Sequence, residues 1–187
     1  MSERLAGLAI RAALPADVEV LEALIRDSVL GLSGGDYSPE QLASALRHVF
    51  GIDTRLIDDG TYFVVEHQGQ PVACGGWSRR RTLFGGDRYA DRSDDRLDPE
   101  TEPARIRAFF VHPDWARKGV GRMLLQECER AAAANGFRHL ELMATLTGIP
   151  FYQREGFSLQ ERHDLEFPDG VRFPLVRMSR DLTDLQR

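Results

Sequence analysis

The sequence has few cysteines, no excess of positive charge and no long apolar run, and each absence removes a class of protein. Only Cys74 and Cys128 occur among 187 residues, too few for the disulfide framework of a small secreted domain. The formal net charge is −5 at pH 7, whereas a nucleic-acid binder is usually basic. No apolar run could span a bilayer, and no charged-then-apolar leader is seen. These absences predict a cytoplasmic protein without nucleic acid or membrane as a partner.

Two common phosphate-binding fingerprints are also absent, although the chain holds a glycine-rich stretch. A dinucleotide fingerprint needs a third glycine after Gly-x-Gly, and Leu124 stands at that position after Gly119 and Gly121. A P-loop needs Gly-Lys-Ser/Thr four residues after a glycine, and the chain has no such run. The glycine pair therefore belongs either to an ordinary helix start or to another kind of anion site.

The stretch 105–125 predicts a buried strand that leads through a short loop into a helix. Pro113 ends the strand because the residue before a proline avoids the helical region. Gly119 and Gly121 bracket the helix start, where N–H groups are unpaired and the helix dipole is positive. Three basic side chains surround this loop: Arg117, Lys118 and Arg122. The pattern favours a ligand that bears phosphate.

The rest of the pattern predicts one α/β domain over residues 1–187, large enough to bury a core. Apolar spacing predicts a helix from about residue 17 that is ended by Gly31 and the Gly34–Gly35 pair. Further helices are predicted from Ser38 to about Val49, from Val120 to Asn135 and over 149–155. Strand patterns cover 8–11, 61–66, 71–77, 106–111, 137–144, 157–167 and 171–178. The 78–104 segment is irregular and charged; we interpret it as a solvated, mobile insertion, with an acceptor-side loop as the alternative.

The predicted helix after Gly119 has one apolar stripe and one polar face. Its apolar positions are Val120, Leu124, Cys128, Ala131 and Ala132. The residues expected to face solvent are Arg122, Gln126, Glu129 and Arg130. Both cysteines are expected to be packing residues, because small cysteines in strands and helix stripes mostly are.

Two motifs in the second half of the chain resemble those of the GNAT superfamily of N-acetyltransferases. Residues 111–125 (VHPDWARKGVGRMLL) are similar to its acetyl-CoA-binding motif. Residues 145–157 (TLTGIPFYQREGF) resemble its Asn-x-x-Ala-x-x-x-Tyr-x-x-x-Gly-Phe segment. The resemblance implies an α/β fold with a mixed, strongly twisted sheet of six or seven strands and helices on both faces.

The resemblance implies acetyl-CoA as co-substrate, no metal, and transfer of the acetyl group to an amine by direct attack in a ternary complex. Backbone groups of Phe109, Phe110 and Val111 would meet the pantetheine arm, and one of these N–H groups would stabilise the carbonyl oxygen. The Thr145 hydroxyl would bind the same arm, where relatives often carry asparagine. The residues expected to hold the pyrophosphate, mainly through backbone amides, are Arg117, Lys118, Gly119, Val120, Gly121 and Arg122.

Tyr152 is the catalytic residue that the resemblance implies, as the general acid for the leaving thiolate. A phenol suits this task because it is protonated at neutral pH; packing at a helix–sheet seam is the alternative role. The general base stays open between Glu141, His112, Glu102 and water. The strand register turns Glu141 away from the expected face, and His112 lies beyond the strand end.

The acceptor that the resemblance implies is a small-molecule amine, an amino acid or a peptide N-terminus. The acidic composition favours a cationic acceptor, and a homodimer is the assembly that analogy with relatives suggests. Two other hypotheses remain: a catalytically inactive CoA-binding module, and a protein-interaction module on the same fold. The intact Tyr152 favours the active enzyme.

Overall fold

A seven-stranded sheet runs through the computed structural model, which describes residues 7–182. The strands are β1 (Leu8–Ala12), β2 (Tyr62–His67), β3 (Gln70–Ser78), β4 (Ala104–Val111), β5 (His139–Thr145), β6 (Ser158–Glu166) and β7 (Arg172–Asp181). Their order is β1-β2-β3-β4-β5-β7-β6. Only the β4–β5 neighbours in this order are parallel. The predicted mixed sheet is therefore confirmed at seven strands.

Helices cover both faces of this sheet. They are α1 (Val18–Leu32), α2 (Pro39–His48), α3 (Thr54–Asp58), α4 (Val120–Ala134) and α5 (Ile149–Arg154). Alternate residues of β2 enter different cores: Phe63 and Val65 pack with α4, whereas Tyr62 and Val64 pack with α1, α2 and α3. This alternation follows from the two-residue period of a strand. The sheet thus separates two hydrophobic clusters.

The first two helices illustrate local signals of different strength. The Ser38 hydroxyl accepts from the Gln41 N–H at 3.1 Å, and the Gln41 side chain accepts from the Ser38 N–H at 3.0 Å. This reciprocal capping confirms the predicted start of α2. Helix α1 ends at Leu32, between Gly31 and the Gly34–Gly35 pair that were predicted to end it. A Cβ at Gly31 would lie 2.4 Å from the Pro113 ring, so this glycine serves close packing rather than termination.

The irregular segment 78–104 is partly buried, so its interpretation as a solvated insertion is wrong in that respect. Thr82 and Leu97 are buried. The Arg80 guanidinium binds the Asp59 carboxylate through two hydrogen bonds of 2.7 and 2.8 Å, at the end of α3. The segment therefore packs on α3, a short helix that was not predicted from the sequence.

The prediction that Glu129 faces solvent is also wrong. The residue is 2% exposed. Its Oε1 lies 2.8 Å from Nη1 of Arg180 on β7. Burial raises the pKa of Glu129, and the Arg180 charge opposes that rise. The position is buried because a distant strand supplies the counter-charge.

The Arg80–Asp59 pair generates a pH-dependent prediction. Hydrogen bonding to Arg80 lowers the pKa of Asp59 in the folded protein. We expect Asp59→Asn to lower the free energy of unfolding by about 2 kcal/mol at pH 7. The wild-type advantage should be complete above about pH 4, the unfolded-state range, and fade as the pH falls through the lower folded-state pKa. Urea unfolding across this pH range measures it.

Asp58→Asn is the matched control, because Asp58 is the exposed neighbour in the same helix. Its effect should stay within about 0.5 kcal/mol at every pH. A difference between wild type and Asp59→Asn that persists undiminished at pH 2 would contradict the assignment.

Candidate active site

The parallel pairing of β4 with β5 ends early. It joins Ala104 to Leu140 and Arg105 to Glu141, although β4 continues to Val111. On its other side β4 stays paired with β3 up to Val111. The two parallel strands therefore diverge, and β4 has an edge facing β5 whose backbone groups lack a strand partner.

A bulge in β4 changes which side chains reach each face. Ala108 has φ +48, and the β3–β4 register shifts between Cys74 and Gly76. After this irregularity Phe109 packs in the hydrophobic cluster that contains α4, and Phe110 packs in the hydrophobic cluster that contains α1. The irregularity lies opposite Gly75 of β3, between the pairs Cys74–Phe110 and Gly76–Arg107.

A cavity of about 810 Å³ lies where β4 and β5 diverge, and its lining draws on both hydrophobic clusters. One part, the α4 half, is lined by residues within 116–122 and 148–155. The other part, the α1 half, is lined by residues within 28–33, 49–51 and 83–86. The divergence of the strands therefore connects the two faces of the sheet.

The start of α4 presents backbone donors to the α4 half. Gly119 is the N-cap with φ +91, and no side chain caps the helix, in contrast to Ser38 at α2. Arg117, with φ +61, is also in the left-handed region, which non-glycine residues rarely adopt. The first N–H groups of α4 have no intrahelical acceptor, so this end of the cavity suits an anion.

The structure brings most of the predicted site residues to one cavity. Those that line it are Phe109, Phe110, Val111, Arg117, Gly119, Gly121, Arg122, Thr145 and Tyr152. Val120 is buried in the core at 1% exposure. Lys118 does not line the cavity; its Nζ lies 5.1 Å from the centre of the Trp115 ring, a cation–π distance.

Two of these side chains are already engaged. The Arg122 Nε donates to both carboxylate oxygens of Glu155 at 2.9 and 3.0 Å. This pair reduces the positive charge that Arg122 offers to a ligand. The Thr145 hydroxyl accepts from the Gly148 N–H at 3.1 Å, and its own proton remains available to an acceptor in the cavity.

Tyr152 lies in an aromatic cluster beside the α4 half. Its ring centre is 5.0 Å from that of Phe151, 5.6 Å from that of Phe157 and 6.2 Å from that of Phe109. Burial raises the pKa of its hydroxyl above the ordinary value of a phenol. Tyr152 therefore keeps its proton throughout the neutral range.

None of the three side chains considered as a general base lines the cavity. The Glu141 carboxylate is paired with Arg105 and Arg177. Glu102 is paired with Arg81, and His112 Nδ1 accepts from the Asp114 N–H at 3.2 Å.

Sequence reasoning missed a buried ion pair in the cavity wall. Arg107 on β4 binds Asp53 Oδ2 at 2.7 Å and donates to the Thr82 carbonyl at 2.8 Å. Burial lowers the pKa of Arg107 to about 10 and raises that of Asp53. The pair holds the loop around residues 82–86 against the sheet. An arginine within an apolar strand was the signal that could have identified it.

A family model described as "Acetyltransferase (GNAT) domain" matches residues 58–159. Three similar solved structures have the same fold. The GCN5-related N-acetyltransferase from Rhodopseudomonas palustris is 23% identical, with 94% of this chain and 96% of that chain covered and a TM-score of 0.69. The PaiA N-acetyltransferase from Thermoplasma acidophilum, solved with coenzyme A, is 16% identical, with 93% of this chain and 98% of that chain covered and a TM-score of 0.64. The ribosomal-protein-alanine N-acetyltransferase from Brucella melitensis is 19% identical, with 92% of this chain and 99% of that chain covered and a TM-score of 0.61.

No curated protein matches the sequence significantly. Within residues 7–182, no helix has the length and apolar character needed to cross a membrane. The same part of the chain contains no group of three or more His, Cys, Asp or Glu side chains placed to hold a metal ion.

The bulge gives a prediction about Gly75. A Cβ at this position would lie 2.7 Å from the Phe109 ring and 3.1 Å from the Phe109 Cα. We expect Gly75→Ala to destabilise the protein by about 1–3 kcal/mol, because the bulge must shift to relieve the contact. Urea unfolding measures this change.

Gly34→Ala is the control, because a Cβ at Gly34 would have no atom within 4 Å. Its free energy of unfolding should stay within about 0.5 kcal/mol of wild type. Equal stability of the two variants would show that the bulge does not need a glycine opposite Phe109.

Proposed function

The chain belongs to the GNAT acetyltransferase family, and from this membership we propose that it transfers the acetyl group of acetyl-CoA to a primary amine. The observation that carries the proposal is the cavity between the diverging strands β4 and β5. It offers uncapped N–H groups of α4 and a protonated Tyr152 within one space. The coenzyme A in the similar structure from Thermoplasma acidophilum supports this choice of co-substrate.

The residues present fit a pyrophosphate-bearing thioester. The N–H groups at Gly121 and its neighbours would donate to pyrophosphate oxygens, with Arg117 adding positive charge. The unpaired edge of β4 at Phe109, Phe110 and Val111 would hydrogen-bond the amide groups of the pantetheine arm. Acetyl-CoA supplies an activated acyl group, so the protein itself needs no covalent intermediate.

The proposed chemistry is a direct attack by the amine. The amine nitrogen forms a bond to the acetyl carbon while the carbon–sulfur bond breaks. Tyr152 donates its phenolic proton to the departing sulfur and recovers one from solvent. The amine gives up its own proton to water, because Glu155 is the only carboxylate among the described lining residues and it is held by Arg122.

A catalytically inactive CoA-binding module is the alternative function. The lack of a free carboxylate or histidine in the described lining favours it, whereas Tyr152 favours the enzyme. Thiol release from acetyl-CoA in the presence of amines distinguishes them, because a binding module releases none. The homodimer and the cytoplasmic location stay predictions.

Binding of acetyl-CoA is the first test. We expect micromolar affinity for the wild type, about −8 kcal/mol, measured by calorimetry. Gly121→Asp should weaken binding at least about tenfold, because its carboxylate repels the pyrophosphate among the helix donors. Gly121→Asn has the same size without the charge. A Cβ at Gly121 makes only ordinary contacts, 3.4 Å from the Phe151 ring, so both variants should fold.

Binding by Gly121→Asn should stay much closer to wild type than binding by Gly121→Asp. No wild-type binding at millimolar acetyl-CoA would overturn the enzyme and the CoA-binding module alike. Equal losses in the two variants would remove the pyrophosphate from the start of α4.

The role of Tyr152 has its own test. Tyr152→Phe should lower kcat by about 10²–10⁴-fold, because the proton donor is lost, while the Kd for acetyl-CoA changes little. Thiol release at saturating substrates measures kcat. Asp58→Asn, an exposed position outside the cavity lining, is the control and should leave kcat unchanged. A kcat for Tyr152→Phe within twofold of wild type would assign Tyr152 to packing alone.

A further inference from the structure

We propose that the acceptor is a primary amine carried on an uncharged, ring-sized apolar group, and that amines with a second positive charge are poor acceptors. This inference rests on the proposed function and names the substrate class of the same cavity. It follows from the chemistry of the α1 half, which lies across the sheet from the start of α4.

Apolar side chains lie on all three walls of the α1 half, and Ser28 and Ser33 of the α1 wall add two hydroxyl groups. Val29 and Leu32 come from α1, Phe50 from the segment after α2, and Leu83 and Phe84 from the irregular segment. On β4 the bulge turns Phe110 toward the same hydrophobic cluster. A ligand group placed here loses its contact with water and gains contact with hydrocarbon.

Aromatic rings give this half its shape. Phe50 and Phe110 meet edge to face, with ring centres 5.8 Å apart at 76°. Phe84 packs on Tyr89, with ring centres 4.9 Å apart. Phe50, Phe84 and Phe110 are all partly exposed and line the cavity. Rings in this arrangement favour an aromatic or similarly broad apolar group.

No carboxylate in the α1 half is available to a second cation. Glu155 is the only carboxylate among the cavity-lining residues that the structure describes, and it belongs to the α4 half. Behind the α1 half, Asp53 is bound by both Arg107 and Arg92. Glu22 is bound by Arg88 and accepts from the Ile52 N–H at 2.8 Å.

Two further ionisable groups lie nearby: the Asp36 carboxylate accepts from the Thr147 hydroxyl at 2.7 Å, and His163 packs on Phe84 with ring centres 6.1 Å apart. Neither side chain lines the cavity. Arg107 lines the cavity as a cation already paired with Asp53. A second ammonium group would be desolvated beside it without a counter-charge, which is costly. The acidic composition favours an acceptor with one ammonium group, whereas this local arrangement disfavours a second one.

The apolar wall is also fixed in place. The Arg107 guanidinium donates to the carbonyl groups of Thr82 and Gly85. The Gly86 N–H donates to the Val49 carbonyl at 2.9 Å. These bonds join the irregular segment to β4 and to the end of α2, so the wall selects by shape instead of adapting to each amine.

This environment also accounts for the lack of a side-chain base. An apolar surrounding disfavours the charged form of an amine and lowers its pKa. The α1 half therefore favours the neutral amine, which is the nucleophile. The rate should then rise with pH until the bound amine is neutral, without the titration of a histidine or carboxylate base near pH 7.

The test compares four acceptors by thiol release at saturating acetyl-CoA: 2-phenylethylamine, a tetrapeptide beginning with phenylalanine, butylamine and 1,4-diaminobutane. Butylamine and 1,4-diaminobutane share a four-carbon chain and differ in one ammonium group. We expect kcat/KM to be at least about tenfold higher for butylamine than for the diamine, and about tenfold higher again for 2-phenylethylamine. The peptide distinguishes an N-terminal acceptor from a free amine of the same chemistry.

Leu83→Glu and Leu83→Gln test the charge argument at one position. Both should lower kcat/KM for 2-phenylethylamine, because both place a polar group in the wall. Only Leu83→Glu should raise kcat/KM for 1,4-diaminobutane, by about tenfold, because only it supplies a counter-charge. An equal response of the two variants toward the diamine would overturn the charge argument.

The outcomes separate the two levels of the proposal. A wild-type preference for 1,4-diaminobutane would overturn the substrate class and leave the acetyltransferase intact. Thiol release with none of the four amines, while acetyl-CoA binds, would overturn the proposed transfer activity and the inference with it. The expected ranking, with the response of Leu83→Glu, supports both.

Discussion

The early end of the β4–β5 pairing is the constraint on which the rest of this structure depends. Only two residue pairs join β4 to β5, Ala104 with Leu140 and Arg105 with Glu141. Beyond them the two strands diverge. That divergence leaves a strand edge unpaired, opens a cavity between the faces of the sheet and brings the start of α4 to one side of it. The bulge at Ala108 completes the arrangement, because it shifts the alternation of β4 by one residue, so that Phe109 packs in the cluster that contains α4 and Phe110 in the cluster that contains α1.

The parts of the fold that the sequence predicts well are those fixed by local chemistry. Capping by Ser38 needs only residues three apart, and the Gly119 loop combines a left-handed residue with a helix start, which neighbouring residues encode. The family resemblance also singles out Phe109, Phe110 and Val111, and these residues line the cavity. The bounds of most strands and helices lie close to the predicted ones for the same reason.

The parts that were not predicted depend on residues far apart in the chain. Glu129 is buried because Arg180 reaches it from β7, and helical periodicity alone places it on the polar face. Arg107 is accommodated in β4 because Asp53, 54 residues earlier, provides its counter-charge. The irregular segment packs for the same reason: its partners lie on other elements, and no local pattern encodes them.

The contact between Gly31 and Pro113 has a consequence for how two substrates would share this molecule. The last turn of α1 rests on the turn that leads into the Arg117–Gly119 loop, with no room for even a methyl group between them. If a ligand on the α4 side of the sheet displaces the turn at Pro113, the last turn of α1, which lines the cavity on the other side, must move with it. This is the mechanical condition under which two ligands alter each other's affinity, and such an effect is reciprocal.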